Sequence, residues 1–467
     1  MNTTALLVGL GLVLSGLGAE RHPNIIVVLA DDLGWADLPC YGADLHETPH
    51  INRMAAEGVR FTRAYSAAPV CSPTRCALLT GLHPARLGMT IWREGASTPP
   101  ANRKMLPPKA TEDLSFSIPT LADRLKSKGY TTALVGKWHL GDADHFPENH
   151  GFDTNIGGNH WGAPTTFFAP YKGPFGQSRE PRYVPGLPNP PKGEYLTDRL
   201  TDEALRVIDQ AGEKPFFLLM AHYAPHTPIE AKKDLVEKYQ QKVTPGLNHQ
   251  NPVYAAMIHS LDESVGRVRA HLQARGLADN TLMVFTSDNG GFIGEYAGRK
   301  VTTNQPLRSG KGSVYEGGIR VPLLVTHPGK VAAGRVCDAP VVTMDLFHTL
   351  AQAAGVDQPA TTDSLSLAGL LTNPEIPQPP RNLFWHYPHY YPTTTPVGAA
   401  LLGDWKVVEY FEDGRVELFN LAEDPSEKNN RASQNPDMAA RCLAKLHQWR
   451  GEVKASIPLP NPKFKAP

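Results

Sequence analysis

Asn24-Ile25-Ile26-Val27-Val28-Leu29-Ala30-Asp31-Asp32 decides how this chain folds. Its first part is an uncharged run rich in β-branched side chains, which reads as a strand buried on both faces. Such strands belong to parallel sheets covered by helices. Two acids follow it directly. Adjacent carboxylates repel each other unless a cation lies between them. In open α/β sheets, ligands bind beyond the carboxyl ends of the strands. An Asp-Asp pair elsewhere would read as a solvated turn, but its position here points to a cation site.

The same arrangement recurs along the chain. Residues 282–286 form an apolar strand ending in Ser287-Asp288-Asn289-Gly290-Gly291. Residues 131–135 form another, which delivers Lys137 and His139; residues two apart in an extended segment share a face, so both can aim at one site. Residues 216–221 precede His222-Tyr223-Ala224-Pro225-His226. Strands are also expected at 59–65 and 321–326. Helices are expected over 48–57, 120–128, 254–275 and 343–354, several of them closed by glycine. Strands alternating with helices predict an α/β fold with a mainly parallel central sheet. Residues 161–193 are expected as one long loop, rich in Pro, Gly and aromatics, which favours a pocket wall over a linker.

The chain has 467 residues, enough for two domains rather than one. A Pro-rich stretch at 373–380 marks the expected boundary. Beyond it, Glu412-Asp413-Gly414 between two short strands signals a hairpin, and residues 437–453 a final helix. The expected division is a signal peptide at 1–19, a catalytic domain at 20–375 and a smaller α+β subdomain at 376–467. The signal peptide rests on the apolar run 6–17, followed by small residues up to Ala19. It predicts export, to the periplasm or outside the cell, with no membrane span in the mature chain. Lys plus Arg (46) equals Asp plus Glu (46), so no global field favours nucleic acid. Of five cysteines, Cys40, Cys76, Cys337 and Cys442 are open to disulfides or to remaining free thiols, and the spacings match no zinc pattern.

The fifth cysteine opens Cys71-Ser72-Pro73-Thr74-Arg75. Pro73 suits the first turn of a helix, and Gly81 suits its end. Cys71 is therefore placed at a helix N-terminus, where free N–H groups favour an anion. Arg75 adds a cationic fork for a tetrahedral oxyanion. The stretch 71–81, CSPTRCALLTG, resembles the first signature of the type I sulfatases of the alkaline phosphatase superfamily, and 129–139, GYTTALVGKWH, resembles their second. The overall pattern is most similar to the arylsulfatase A and N-acetylgalactosamine-6-sulfatase branch. Cys76, where the family often has a small residue, is a mild departure.

The resemblance implies an alkaline-phosphatase-like fold and conversion of Cys71, by a formylglycine-generating maturation enzyme, to formylglycine, whose hydrate is the nucleophile. Asp31, Asp32, Asp288 and Asn289 offer hard oxygen donors suited to Ca2+ or Mg2+. The resemblance implies calcium there, with residue 71 completing the site. It implies that Arg75, Lys137 and Lys311 hold the sulfate, that His226 with Lys311 protonates the leaving alcohol, and that His139 takes a proton to regenerate the aldehyde. His222 is a candidate substrate contact and equally a structural histidine. The expected substrate is a sulfated saccharide. Residues 161–193 and His386-Tyr387-Pro388-His389-Tyr390-Tyr391 are candidate pocket walls. Two alternatives stand beside this reading: a phosphomonoester or phosphonate-ester hydrolase on the same scaffold, and a catalytically dead glycan-binding protein.

Overall fold

A computed structural model describes residues 22–97, 102–176, 179–357 and 362–465. The expected signal peptide lies outside the described residues. An eight-stranded sheet forms the centre. In chain order its strands are β1 (Asn24–Ala30), β2 (Val59–Phe61), β3 (Thr131–Gly136), β4 (Thr154–Ile156), β5 (Phe216–Ala221), β6 (Thr281–Ser287), β7 (Leu323–Thr326) and β8 (Arg335–Cys337). The spatial order is β8-β2-β7-β6-β1-β5-β3-β4. The run β6-β1-β5-β3-β4 is parallel throughout. Only β7 runs against both its neighbours.

β1 is buried along its whole length, and its two-residue period feeds two cores. Ile26, Val28 and Ala30 pack with residues of helices α1 (Pro49–Glu57), α4 (Leu196–Gln210) and α5 (Pro252–Ala274). Ile25, Val27 and Leu29 pack on the opposite side, with helices α2 (Cys71–Thr80), α3 (Leu121–Lys126) and α6 (Asp345–Ala353). A strand with both faces covered has no place for a polar side chain until it ends, which is where Asp31 and Asp32 stand.

A separate antiparallel sheet follows at the C-terminus, with β9 (Asn382–Tyr387), β10 (Val397–Leu402), β11 (Trp405–Tyr410) and β12 (Val416–Asn420) in sequential order. One face buries Ala400, Val407 and Leu418 under helix α7 (Pro436–Glu452). The other sets Trp385, Ala399 and Val408 against Val70 and Ala77, beside and within the helix that begins at Cys71.

Two expectations change. Residues 59–65 are not one strand: β2 stops at Phe61, and Ala64–Tyr65 pairs with Val341–Val342 in a different sheet. The segment 161–193 is not wholly irregular, because Lys172–Phe175 and Glu180–Tyr183 form a hairpin. All five cysteines are free thiols. Among the described residues no helix is long and apolar enough to cross a membrane.

Candidate active site

β6, β1, β5 and β3 are parallel neighbours, so their carboxyl ends share one edge of the sheet. That edge collects Asp288 and Asn289, Asp31 and Asp32, His222 and His226, and Lys137 and His139. Helix α2 points its first turn at the same place, with Cys71 Sγ 3.6 Å from Asp31 Oδ1. Its C-cap is Gly81 in the left-handed region (φ 68°), the conformation glycine adopts without penalty. Asp32 and His139 have the same φ of 62° with a side chain present, a strain that concentrates at functional sites. Gly136 leads into Lys137, and a Cβ there would meet Ala221 O at 1.9 Å, so only glycine fits the turn.

The site is a lattice of buried opposite charges. Lys137 Nζ donates to both oxygens of Asp31, at 2.8 and 3.0 Å. Arg75 Nε and Nη2 reach Asp288 Oδ2 at 2.9 and 2.8 Å. Lys311 Nζ is 2.8 Å from each oxygen of Asp32, which also accepts from Asn289 Nδ2 at 2.8 Å. Burial pushes the Asp31 carboxyl up to about 7 despite Lys137, with Asp288 and Asp32 adding to the rise. Burial is also the largest influence on Asp288 and Asp32, but Arg75, Lys137 and Lys311 together at Asp288, and Lys311, His226 and Lys137 together at Asp32, hold both below the usual carboxylate range. The Cys71 thiol is pushed up to about 12 by burial and by neighbouring Asp288. At neutral pH it is a thiol, not a thiolate.

Three carboxylates thus face three cations. A divalent ion added to this balance would leave a surplus of positive charge suited to an anionic substrate. The donor set fits a hard cation. Ligand atoms of Asp31, Asp32, Cys71 and His226 lie within 4.8 Å of one another. Asn289 Oδ1 is fully buried and has no hydrogen-bond partner, an orphaned oxygen beside Asp32. Asp288 stands outside the tightest group, clamped by Arg75 and accepting from Asp32 N at 3.2 Å.

A cavity of about 320 Å³ opens onto Asp32, Cys71, His139, His226 and Lys311. Its walls include Trp92, Phe175, Arg182, Phe292 and Tyr391. Glu94 also lines it and links two of these groups: Oε2 is 3.4 Å from His139 Nε2, and Oε1 is 3.3 Å from Arg182 Nη2. The Arg182 guanidinium lies over the Phe175 ring, 3.8 Å from its centroid. The sequence reading did not single out Glu94, Arg182 or Phe292, because a lone charge or ring carries no local signal.

The structure brings Cys71, Arg75, Lys137, His139, His226 and Lys311 together. It does not bring His222 to the cavity; that side chain is fully buried, with Nε2 3.0 Å from Ser264 Oγ on α5. In the 386–391 stretch, Tyr391 reaches the cavity wall, whereas His386 bonds Ser456 O and His389 bonds Thr90.

The chain matches the sulfatase family model over residues 23–356, and the model for the C-terminal part of N-sulphoglucosamine sulphohydrolase over 310–452. It is 31% identical to a sulfatase of Formosa agariphila, across 92% of this chain and 89% of that protein. It is 38% identical to human N-acetylgalactosamine-6-sulfatase, across 75% of this chain and 66% of that enzyme. Among solved structures, Ps i-CgsB in complex with k-i-k-neocarrahexaose superposes with a TM-score of 0.76 at 29% identity, covering 92% of this chain and 93% of the other.

Proposed function

This chain belongs to the type I sulfatase family of the alkaline phosphatase superfamily and is a sulfuric ester hydrolase, and from that premise we propose that it removes sulfate from sulfated saccharides, using formylglycine at position 71 and one calcium ion. The observation that carries this reading is the placement of Cys71. It sits at a helix N-terminus, among Arg75, Lys137 and Lys311, with its thiol held protonated. A protonated, buried thiol is a poor nucleophile. The position is built for an anion, yet the cysteine as encoded cannot attack one. Oxidation to formylglycine would supply an aldehyde hydrate there as the nucleophile. Asp31, Asp32, Asp288 and Asn289 would hold the calcium, which would supply Lewis-acid polarisation of the sulfate.

The remaining roles follow from the chain's own groups. Arg75, Lys137 and Lys311 offer fixed positive charge to the sulfate oxygens in a site shielded from water, where such charge counts most. His226 Nδ1 lies 2.7 Å from Thr227 O, an acceptor, so Nδ1 carries the ring proton. Its Nε2 then accepts from Lys311 Nζ at 3.2 Å. Burial, with Lys311 adding, keeps this imidazole neutral, at about 3. His226 and Lys311 thus form one hydrogen-bonded pair through which a proton would reach the leaving alcohol. His139 Nε2 faces Glu94, which leaves the unpartnered Nδ1 as the lone pair able to take a proton. Saccharide as substrate is supported by the aromatic and polar cavity wall and by the oligosaccharide complex of Ps i-CgsB.

The test compares the protein made with a maturation enzyme against Cys71→Ala. Mass spectrometry of the tryptic peptide 64–75 should find the aldehyde at 71 in the first. That protein should release inorganic sulfate from sulfated oligosaccharides faster than phosphate from matched phosphate esters, and Cys71→Ala should show no multiple turnover. Aldehyde-bearing protein that favours phosphate esters, or full turnover by Cys71→Ala, overturns the proposal.

A further inference from the structure

A second buried cluster of ligand-type side chains lies away from the cavity. Asp37 ends the short turn Trp35–Asp37, five residues beyond Asp32. His46 lies in the loop before α1. His249 lies just ahead of Asn251, which caps α5. Their exposures are 0%, 5% and 3%, and each offers one ligand atom within 4.8 Å of the other two.

Three details distinguish this cluster from an ordinary packed histidine. First, His249 Nε2 is buried 3.3 Å from Asp37 Oδ1, yet makes no hydrogen bond. Two donors held about 2.0–2.1 Å from one tetrahedral ion sit about 3.3 Å apart, so the spacing is that of neighbouring ligands. Second, His249 Nδ1 is 2.9 Å from Asp44 Oδ1, the carboxylate partner that commonly orients a metal-bound imidazole. Third, His46 Nδ1 is 2.7 Å from Asp37 O, an acceptor only, so Nδ1 carries the proton and Nε2 the lone pair.

We propose that Asp37, His46 and His249 form a second metal site, which takes a zinc ion. Two imidazoles and one carboxylate select a borderline-soft transition metal over calcium. The site is structural. Asp37 Oδ2 accepts from Gly34 N at 2.7 Å and from Tyr254 OH at 2.8 Å, and that hydroxyl also lies 3.2 Å from Asp32 O. Thr302 donates to Oδ1, which keeps a second lone pair for the ion. Zinc there would tie the loop carrying Asp32 to the start of α5.

The competing account is a protonated His249 clipped between Asp37 and Asp44, both of which favour its charged form although burial opposes it. Co2+ titration of the full chain distinguishes the two. The background is Cys71→Ala with calcium in excess, so that neither the thiol nor the oxygen-rich site competes. This protein should take up stoichiometric Co2+ with the intense visible absorption of a tetrahedral site. Zn2+ should displace the cobalt and raise the melting temperature. Adding His249→Ala or His46→Gln should abolish both effects. Either variant alone suffices if the other fails to fold. A folded Cys71→Ala protein without the cobalt band, or a band that survives the histidine substitutions, overturns the site.

Discussion

Two buried clusters of charge in this molecule look alike in composition and differ in what surrounds them. The candidate active site sets Arg75, Lys137 and Lys311 against Asp31, Asp32 and Asp288, beside a cavity. The second cluster joins the two sheets. Lys406 on β11 reaches Glu316 at 2.8 Å and Glu427 at 2.9 Å, and all three side chains are fully buried. Tyr65 OH and Arg320 also meet Glu316, and its backbone N–H binds Glu427. The second cluster is paired within itself, with Glu427 Oε1 held only by its ion pair to Lys406. In the first, Asn289 Oδ1 has no partner, and Asp32 and Lys311 border open space. Buried charge is therefore not a sign of function in itself. What marks the first cluster is that its groups remain available to something not encoded in the chain.

The comparison can be broken by substitution. The largest expected effect is at the closed cluster: Lys406→Met leaves two carboxylates buried without their cation, and should lower the unfolding free energy by about 3–5 kcal/mol. Denaturant titration measures this, and the folded fraction should keep its kcat. A loss under about 1 kcal/mol would show that the cluster is not a clamp. Next is Lys137→Ala at the open cluster, expected to lower kcat by about two orders of magnitude, or about 2.7 kcal/mol. Stability should change less than activity, and the reverse pattern would erase the distinction between the clusters.

The smallest effect is a pH slope. Burial raises the Glu427 carboxyl from 4.5 to about 7 in the folded chain, although Lys406 opposes it. A carboxyl raised in this way binds protons more tightly when folded. Its contribution is complete below pH 4.5 and is lost as pH rises through about 7. Melting temperature followed across that window should fall because of this group, and Glu427→Gln should flatten the slope. An unchanged slope would assign it to other residues.

The sheet was legible because its central strands are apolar runs that end abruptly in polar clusters, as at Ala30-Asp31 and Ser287-Asp288. The direction of β7 was not, since an apolar run reads the same in either sense. The break after Phe61 was hidden too. Thr62 and Arg63 are ordinary strand residues, and the chain leaves the main sheet only because Ala64–Tyr65 finds Val341–Val342. In the candidate site, residues attached to strand ends or to the Cys71 helix could be named from the sequence. Glu94 and Arg182 could not, because their pairing joins segments 88 residues apart. The same holds for His249, whose partner Asp44 is 205 residues away. Its chemistry exists only once the chain has closed.

One feature of the C-terminal sheet bears on timing. The helix that starts at Cys71 is covered on one side by side chains of β9, β10 and β11, so that side stays bare until residues 382–410 have been made. In the closed molecule Cys71 is only 3% exposed. On the proposed function, the conversion of this thiol by a maturation enzyme would belong to the interval before that cover arrives. The length of that interval, set by the speed of translation, would then govern how much of the protein is able to work.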